Sequence, residues 1–130
     1  HASLRDWAQF AALHAHRGAT MTEGPLDGML REESFRSLHA PGPFNDYAAG
    51  WIVTERPWAG AIDPETEKRR TGLALTHSGS NTMWFCTLWV APERKLALLA
   101  VCNQGSDGAQ VACDQVVGAL LKSLDEAAPK

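Results

Sequence analysis

The stretch from Leu73 to Val90, LALTHSGSNTMWFCTLWV, changes character in its middle. It begins with a short apolar segment, continues through small polar residues from Thr76 to Thr82, and then becomes almost entirely apolar. The apolar ends are typical of buried β-strands. A His-Ser-Gly-Ser-Asn string is instead typical of a polar turn. The sequence therefore raises the question of what a polar string does between two strands that both look buried.

The composition is that of a compact protein with a hydrophobic core. The chain has 130 residues, of which 45% are hydrophobic, and it includes five Trp. This is enough for one domain, so we predict a single domain over residues 1–130. The net charge is −3 at pH 7 and the longest basic run is Lys68 to Arg70, so we predict no nucleic-acid partner. No segment of the sequence has the ~20 apolar residues of a membrane span, and we predict no membrane insertion.

The remaining pattern predicts an α+β fold. Ser3 followed by Asp6 is typical of a capped helix start, and Gly18 is predicted to close this helix. Further elements are predicted as a helix over 31–39 and strands over 47–54, 73–76, 83–90 and 95–102. From 107 onward an amphipathic helix is predicted to lie on the sheet and to bury its apolar face, which consists of Ala109, Ala112, Cys113, Val116, Val117, Leu120, Leu121 and Leu124. The segment 55–71 is rich in Pro and charge and is predicted to be an exposed excursion. Because the last two strands are apolar on both faces, we expect an antiparallel sheet flanked by helices on both faces.

The polar string and the other His and Cys residues are candidates for three kinds of chemistry. Neighbours on a strand point to opposite faces, so His77 and Ser78 cannot form a nucleophile and base pair with each other. His14 and His16 do not share a helix face and the three cysteines have no C-x-x-C spacing, so we predict neither a metal site nor a cofactor. Small residues on a strand can instead form one wall of an active site, where a substrate lies beside the backbone. The alternative is a polar turn without a chemical role.

Several motifs follow one another in an informative order. The segments are SLRDWAQF, ESFRSLHAPG, YAAGW and THSGSNTMWFCTLWVAPERKLALLAVCNQG. The most specific piece is His77-Ser78-Gly79 at the start of a long apolar strand, followed by Ala-Pro-Glu in a hairpin and by Asn103-x-Gly105. Together these segments resemble the carboxy-terminal part of the serine β-lactamase and penicillin-binding-protein family, in particular its class C β-lactamase and esterase-like branch.

The resemblance implies a fold, a reaction and a set of site residues. The fold would be part of a β-lactamase/transpeptidase-like fold, and the reaction would be acyl-serine hydrolysis of an ester, a D-amino-acid peptide or a β-lactam. His77 would orient the substrate or tune the proton network, and Ser78 would hydrogen-bond the substrate. Gly79 would leave room for it, and the backbone N–H of Ser80 would be an oxyanion-hole donor. Family habit also implies a bacterial protein that is periplasmic or secreted.

Two motifs of this family are missing from the chain. No Ser has Lys three positions later, and Tyr47 is followed by Ala48 and Ala49, so neither S-x-x-K nor Y-x-N is present. We therefore expect a carboxy-terminal fragment of such a hydrolase, with no catalytic nucleophile of its own and no activity alone. The alternative is a non-catalytic module of the same fold that binds a peptide or a cell-wall fragment.

The partners expected from this interpretation are of two kinds. One is a small-molecule or peptide acyl substrate, held by the wall from His77 to Ser80. The other is protein, because a piece of a larger sheet leaves a strand edge and an apolar face open. We expect these surfaces to cause self-association or to bind the missing amino-terminal half.

Overall fold

The computed structural model describes residues 2–17 and 30–127. Within these residues the helices are α1 (Leu4–His16), α2 (Glu32–Leu38) and α3 (Asp107–Ala127). The strands are β1 (Tyr47–Ala48), β2 (Trp51–Arg56), β3 (Gly72–Ser80), β4 (Phe85–Ala91) and β5 (Leu96–Cys102), and a short 3₁₀ helix, Pro92–Arg94, connects β4 to β5. The five strands form one antiparallel sheet with the strand order β1-β2-β3-β4-β5. The predicted α+β class with an antiparallel sheet is confirmed, whereas the helical cover on both faces and the β-lactamase-like fold stay predictions.

The first two helices form where the sequence predicts them. At the start of α1 the Ser3 hydroxyl accepts a hydrogen bond from the Asp6 backbone N–H at 3.2 Å, and the Asp6 carboxylate accepts one from the Ser3 N–H at 3.1 Å. Hydrogen bonds from the Ser3 side chain and backbone lower the pKa of the Asp6 carboxyl. This reciprocal arrangement is a capping box, which satisfies two backbone donors that a helix start leaves unpaired. The predicted helix end at Gly18 lies outside the described residues.

The single strand predicted over 47–54 is wrong, because the chain reverses within it. The strands β1 and β2 pair Tyr47 with Ile52 and Ala48 with Trp51. Between them, Ala49 and Gly50 have φ angles of 46° and 96°. Two consecutive positive φ angles are what a two-residue hairpin needs. The sequence shows this turn only as one glycine between apolar residues, which is also the pattern of a bulge.

The strand β3 is longer than the prediction of 73–76. It runs from Gly72 to Ser80 and therefore includes most of the polar string. Its first half is largely buried and pairs with β2, whereas the four residues from His77 onward are exposed. The polar string is thus a continuation of the strand, and only its end forms a turn before β4.

The described residues fall into two compact units. One lies within His1–Thr76 and Trp89–Ala97, and the other within His77–Leu88 and Leu98–Lys130. The strands β3, β4 and β5 contribute residues to both units. The four predicted site residues all belong to the second unit.

In the first unit, the excursion over 55–71 is only partly exposed. Its tip is solvated as predicted, and there the Asp63 side chain accepts hydrogen bonds from the backbone N–H groups of Glu65 and Thr66. Two residues near its beginning, Trp58 and Ala59, are instead part of a buried cluster. This cluster consists of Ala59, Ala74 and Ala91, with Trp58, Trp89 and Leu96 packed against it.

Two glycines allow the excursion to return closely against β3. A Cβ atom on Gly60 would lie 2.1 Å from the carbonyl oxygen of Arg70, and a Cβ atom on Gly72 would lie 2.4 Å from the Cα atom of Gly60. Both distances are too short for a side chain, and the obstructing atoms are backbone atoms. The excursion can therefore pack on the sheet only because neither residue has a side chain.

In the second unit, α3 buries less of its apolar surface than predicted. Its buried residues are Ala109, Cys113 and Val117, which form one row at a spacing of four. A neighbouring row at the same spacing, with Val116, Leu120 and Leu124, is exposed. The prediction that both rows are buried is wrong, because they lie side by side on the helix and only one of them is covered by this unit. No helix among the described residues is both long and apolar enough to cross a bilayer.

We predict that Gly60→Ala destabilises the protein by about 1–3 kcal/mol, because its methyl group would force the backbone at Arg70 to move. Urea unfolding followed by Trp fluorescence measures the change. The matched control is Gly42→Ala, where the nearest atom to a new Cβ is the Asn45 side-chain oxygen at 3.9 Å. Equal stabilities of the two variants would contradict the close approach of the excursion to β3.

Candidate functional site

The four residues predicted to form the active-site wall lie together at the end of β3. His77, Ser78, Gly79 and Ser80 are consecutive in the strand and all are exposed. We call them the polar end of β3. Alternation along the strand places His77 and Gly79 on one face and Ser78 and Ser80 on the other. A ligand that lies along the strand could therefore contact the backbone of all four residues. From either face, it could contact the side chains of only the two residues that point to that face.

Ser78 is fixed by a neighbour on β4. Its hydroxyl donates a hydrogen bond to the Thr87 hydroxyl, with an oxygen to oxygen distance of 2.9 Å. Thr87 is only 1% exposed, whereas Ser78 is accessible to solvent. A hydroxyl has one proton and two lone pairs, so Ser78 keeps acceptor capacity for a ligand while this bond orients it.

The turn that follows the polar end of β3 is held by side-chain acceptors. The Ser80 hydroxyl accepts from the Thr82 N–H at 3.1 Å. The Asn81 side-chain oxygen accepts from the N–H groups of Met83 at 3.2 Å and Trp84 at 2.8 Å. These local bonds replace ladder bonds at the point where β3 ends, so the turn has a defined shape.

Gly105 lies against the same turn. A Cβ atom at this position would be 2.4 Å from the Thr82 carbonyl oxygen and 2.9 Å from the Ser80 hydroxyl. The glycine of the Asn103-x-Gly105 motif therefore has a steric role, since any side chain there would displace the end of β3.

An apolar cleft lies beside the polar end of β3. It has a volume of about 320 Å³ and is lined by Gly79, Ser80, Asn81, Trp84, Phe85, Cys86 and Val101. None of these side chains is an acid, a lysine, an arginine or a histidine, and His77 is not part of the lining. Apart from the two residues next to Gly79 in the chain, no described residue has an atom within 4 Å of the position that a Cβ on Gly79 would take. The cleft can therefore receive a small uncharged group directly above the strand backbone.

Several of these features were missed in the sequence. Trp84, Phe85 and Val101 appear there as residues of apolar strands, and nothing in their spacing distinguishes a cleft from a core. A second omission is in the first unit, where His14 contacts His39 through their ring nitrogens. The histidine nearest to His14 in the sequence is His16, whereas its contact partner His39 lies 25 positions away.

The three cysteines are free thiols and all lie in the second unit. Cys113 is buried, and Cys86 and Cys102 are partly buried. Burial, together with a hydrogen bond to Cys102, raises the pKa of the Cys113 thiol. Among residues 2–17 and 30–127, no group of three His, Cys, Asp or Glu side chains is arranged to hold a metal ion.

Comparison with known proteins adds no relative. The chain matches no family model, and neither a curated protein nor a solved structure matches it. The resemblance to the β-lactamase family therefore remains a prediction from the motifs.

We predict that Ser78 and Thr87 are energetically coupled. Ser78→Ala leaves the buried Thr87 hydroxyl without this partner and should lower the free energy of unfolding by about 1 kcal/mol. The double variant Ser78→Ala/Thr87→Val should lose less stability than the sum of the losses in the two single variants. A double-mutant cycle by urea unfolding measures the coupling. Strictly additive effects would show that the hydrogen bond does not anchor the wall.

Proposed function

We propose that this chain forms one wall of the active site of a β-lactamase-like serine hydrolase. The parent reaction is acyl transfer to water through an acyl-serine. In it, the polar end of β3 borders the substrate, while a serine outside this chain attacks the acyl carbon. His77 and Ser78 orient the substrate, Gly79 gives it room, and the N–H of Ser80 faces the developing oxyanion.

The observation that carries this proposal is the open space above Gly79 next to the apolar cleft. An exposed strand end offers backbone groups to an extended ligand, but a side chain at the middle position would obstruct it. Here that position is a glycine, and within residues 2–17 and 30–127 only its chain neighbours have atoms within 4 Å of its missing Cβ. The Ser78 hydroxyl, held by Thr87, provides a fixed polar group on the opposite face of the same strand end.

The lining of the cleft narrows the substrate class. A cleft of about 320 Å³ without charged side chains suits an aryl or short alkyl group. By the resemblance, His77 takes the position of the lysine in the Lys-Thr-Gly form of the His-Ser-Gly triad, and it lacks the lysine's compact ammonium group for a substrate carboxylate. We therefore favour an uncharged ester or the acyl part of a D-amino-acid peptide over a β-lactam recognised by its carboxylate.

We predict that the 130-residue chain binds phenyl butyrate weakly and hydrolyses neither this ester nor a chromogenic cephalosporin above background. Binding should shift the NMR signals of the backbone amides from Gly79 to Asn81 and of the Trp84 indole. Gly79→Val should weaken this binding at least tenfold because its side chain fills the open space. The same change should raise stability by about 0.5–1 kcal/mol, since glycine is unfavourable within a strand.

The matched control is Gly118→Ala in α3, which also has no atom within 4 Å of the new Cβ. It should raise stability by about 1 kcal/mol and leave ester binding unchanged. Ester binding that survives Gly79→Val would contradict the proposed wall, as would turnover by the purified chain. The non-catalytic alternative also predicts binding without turnover. An S-x-x-K followed by a Y-x-N in sequence that precedes His1 would favour the hydrolase.

We infer in addition that the second unit carries a surface for protein contact. The exposed row on α3 consists of Val116, Leu120 and Leu124, which are 49%, 43% and 45% exposed. β5 is the last strand in the order of the sheet among the described residues. An apolar helix row and a sheet edge are the surfaces that an amino-terminal half of the hydrolase, or a second copy of the chain, would cover.

We predict that the chain self-associates at high concentration, with a mass by light scattering above the 14.1 kDa of one copy. Leu120→Lys should reduce this association because it places a charge within the apolar row. Gln115→Lys adds the same charge at an exposed position outside the row and serves as the control. A stable monomer at millimolar concentration would contradict the inference.

A further inference from the structure

Two buried histidines join α1 to the end of α2 in the first unit. The Nδ1 atom of His14 on α1 lies 2.8 Å from the Nε2 atom of His39, which caps the C-terminus of α2. Each residue is only 5% exposed. One of these two nitrogens must donate and the other must accept, so the contact requires that at least one ring is neutral. We call this contact the histidine pair.

The surroundings of the histidine pair are aromatic. The ring of His14 lies 4.7 Å from that of Phe10, 5.6 Å from that of Phe35 and 4.9 Å from that of Trp51, measured between centroids. Through these contacts the pair connects α1, α2 and β2. The Nδ1 atom of His39 is buried and has no hydrogen-bond partner among the described residues. A positive charge on the His39 ring would therefore be buried without an acceptor at this nitrogen.

In the part of the chain that the structure describes, the charged groups around the pair do not compensate such a charge. Arg17, at the C-terminus of α1, adds positive potential at His39. The 3₁₀ helix Pro92–Arg94 also packs against α1. Its Glu93 carboxylate contacts the Ala61 N–H at 3.4 Å, and its Arg94 guanidinium donates to the Trp58 carbonyl oxygen at 2.9 Å. Both side chains are thus engaged with the excursion.

These surroundings favour the neutral rings. Burial lowers the pKa of His14 to about 4. Burial, followed by the charges of His14 and Arg17, also lowers the pKa of His39 to about 4. In an unfolded chain both rings would titrate near pH ~6.5.

We propose that the histidine pair is an acid-sensitive contact, which keeps α1 and α2 together beside Trp51 at neutral pH and releases them when its rings are protonated. The pair belongs to the first unit and is independent of the polar end of β3. It gives the protein a conformational response to acid that the proposed hydrolase wall does not require.

The direction of the effect follows from proton uptake. Because both pKa values are lower in the folded chain, the unfolded chain binds more protons between pH 6.5 and pH 4. The stabilisation is complete above pH 6.5 and is lost as the pH falls toward 4. For two such groups, each decrease of one pH unit in this window raises the unfolding equilibrium constant by up to about 100-fold.

The test compares the full chain with a variant that lacks both titrating rings. His14→Asn and His39→Gln place an amide nitrogen or oxygen near the contacting Nδ1 and Nε2 positions without a group that titrates. Urea unfolding at pH 7, 6 and 5 should show that the double variant loses most of the pH dependence of the natural chain. His16→Gln, on the same helix, should retain it. Equal pH dependence in the natural chain and the double variant would overturn the proposal.

Two measurements on the natural chain do not depend on a folded variant. NMR titration of the imidazole Cε1–H signals should show both rings neutral at pH 5.5, and protonation of either ring above pH 6 would overturn the proposal. Hydrogen exchange, corrected for the intrinsic effect of pH, should show that amides of α1 lose protection before those of β3 between Gly72 and Thr76. Simultaneous loss in both elements would exclude a local release.

Discussion

The continuity of β3 is the constraint on which the candidate site depends. A strand keeps its direction and pleat as long as its backbone groups remain paired, whatever the polarity of its side chains. The first half of β3 is fixed by burial and by pairing with β2. The second half is polar and exposed, and the bond from Ser78 to Thr87 ties it to β4. The polar half is therefore part of a regular strand, although its side chains are exposed.

Rigidity at this edge comes from several small contributions. Asn81 organises the turn after β3 through its side-chain oxygen, and Gly105 fits beneath Thr82 where a methyl group has no space. Asn81 also lines the cleft beside Gly79. A site for an extended ligand needs backbone groups at fixed positions, because ordering them on binding would cost affinity. The turn and the glycine contact supply this order in the second unit itself.

The elements with local signals could be predicted from the sequence, and those that depend on distant contacts could not. The capping box at Ser3 and the spacing of apolar residues in α3 mark both helices correctly. The end of β3 was misplaced because a polar composition resembles a turn even where pairing with a neighbour continues the strand. The exposed row with Leu120 was predicted to be buried, since periodicity indicates an apolar face without showing how much of it a neighbour covers. The contact of His14 with His39 has no local signal at all.

The thiols of the second unit give this description a practical consequence. A buried thiol with a raised pKa carries little thiolate, and the thiolate is the species that alkylating reagents attack. Cys113 is in this state within the folded unit, while Cys86 and Cys102 are more accessible. Alkylation of Cys113 would therefore require α3 to detach, and the alkylation rate would report how often the region that contains the cleft opens.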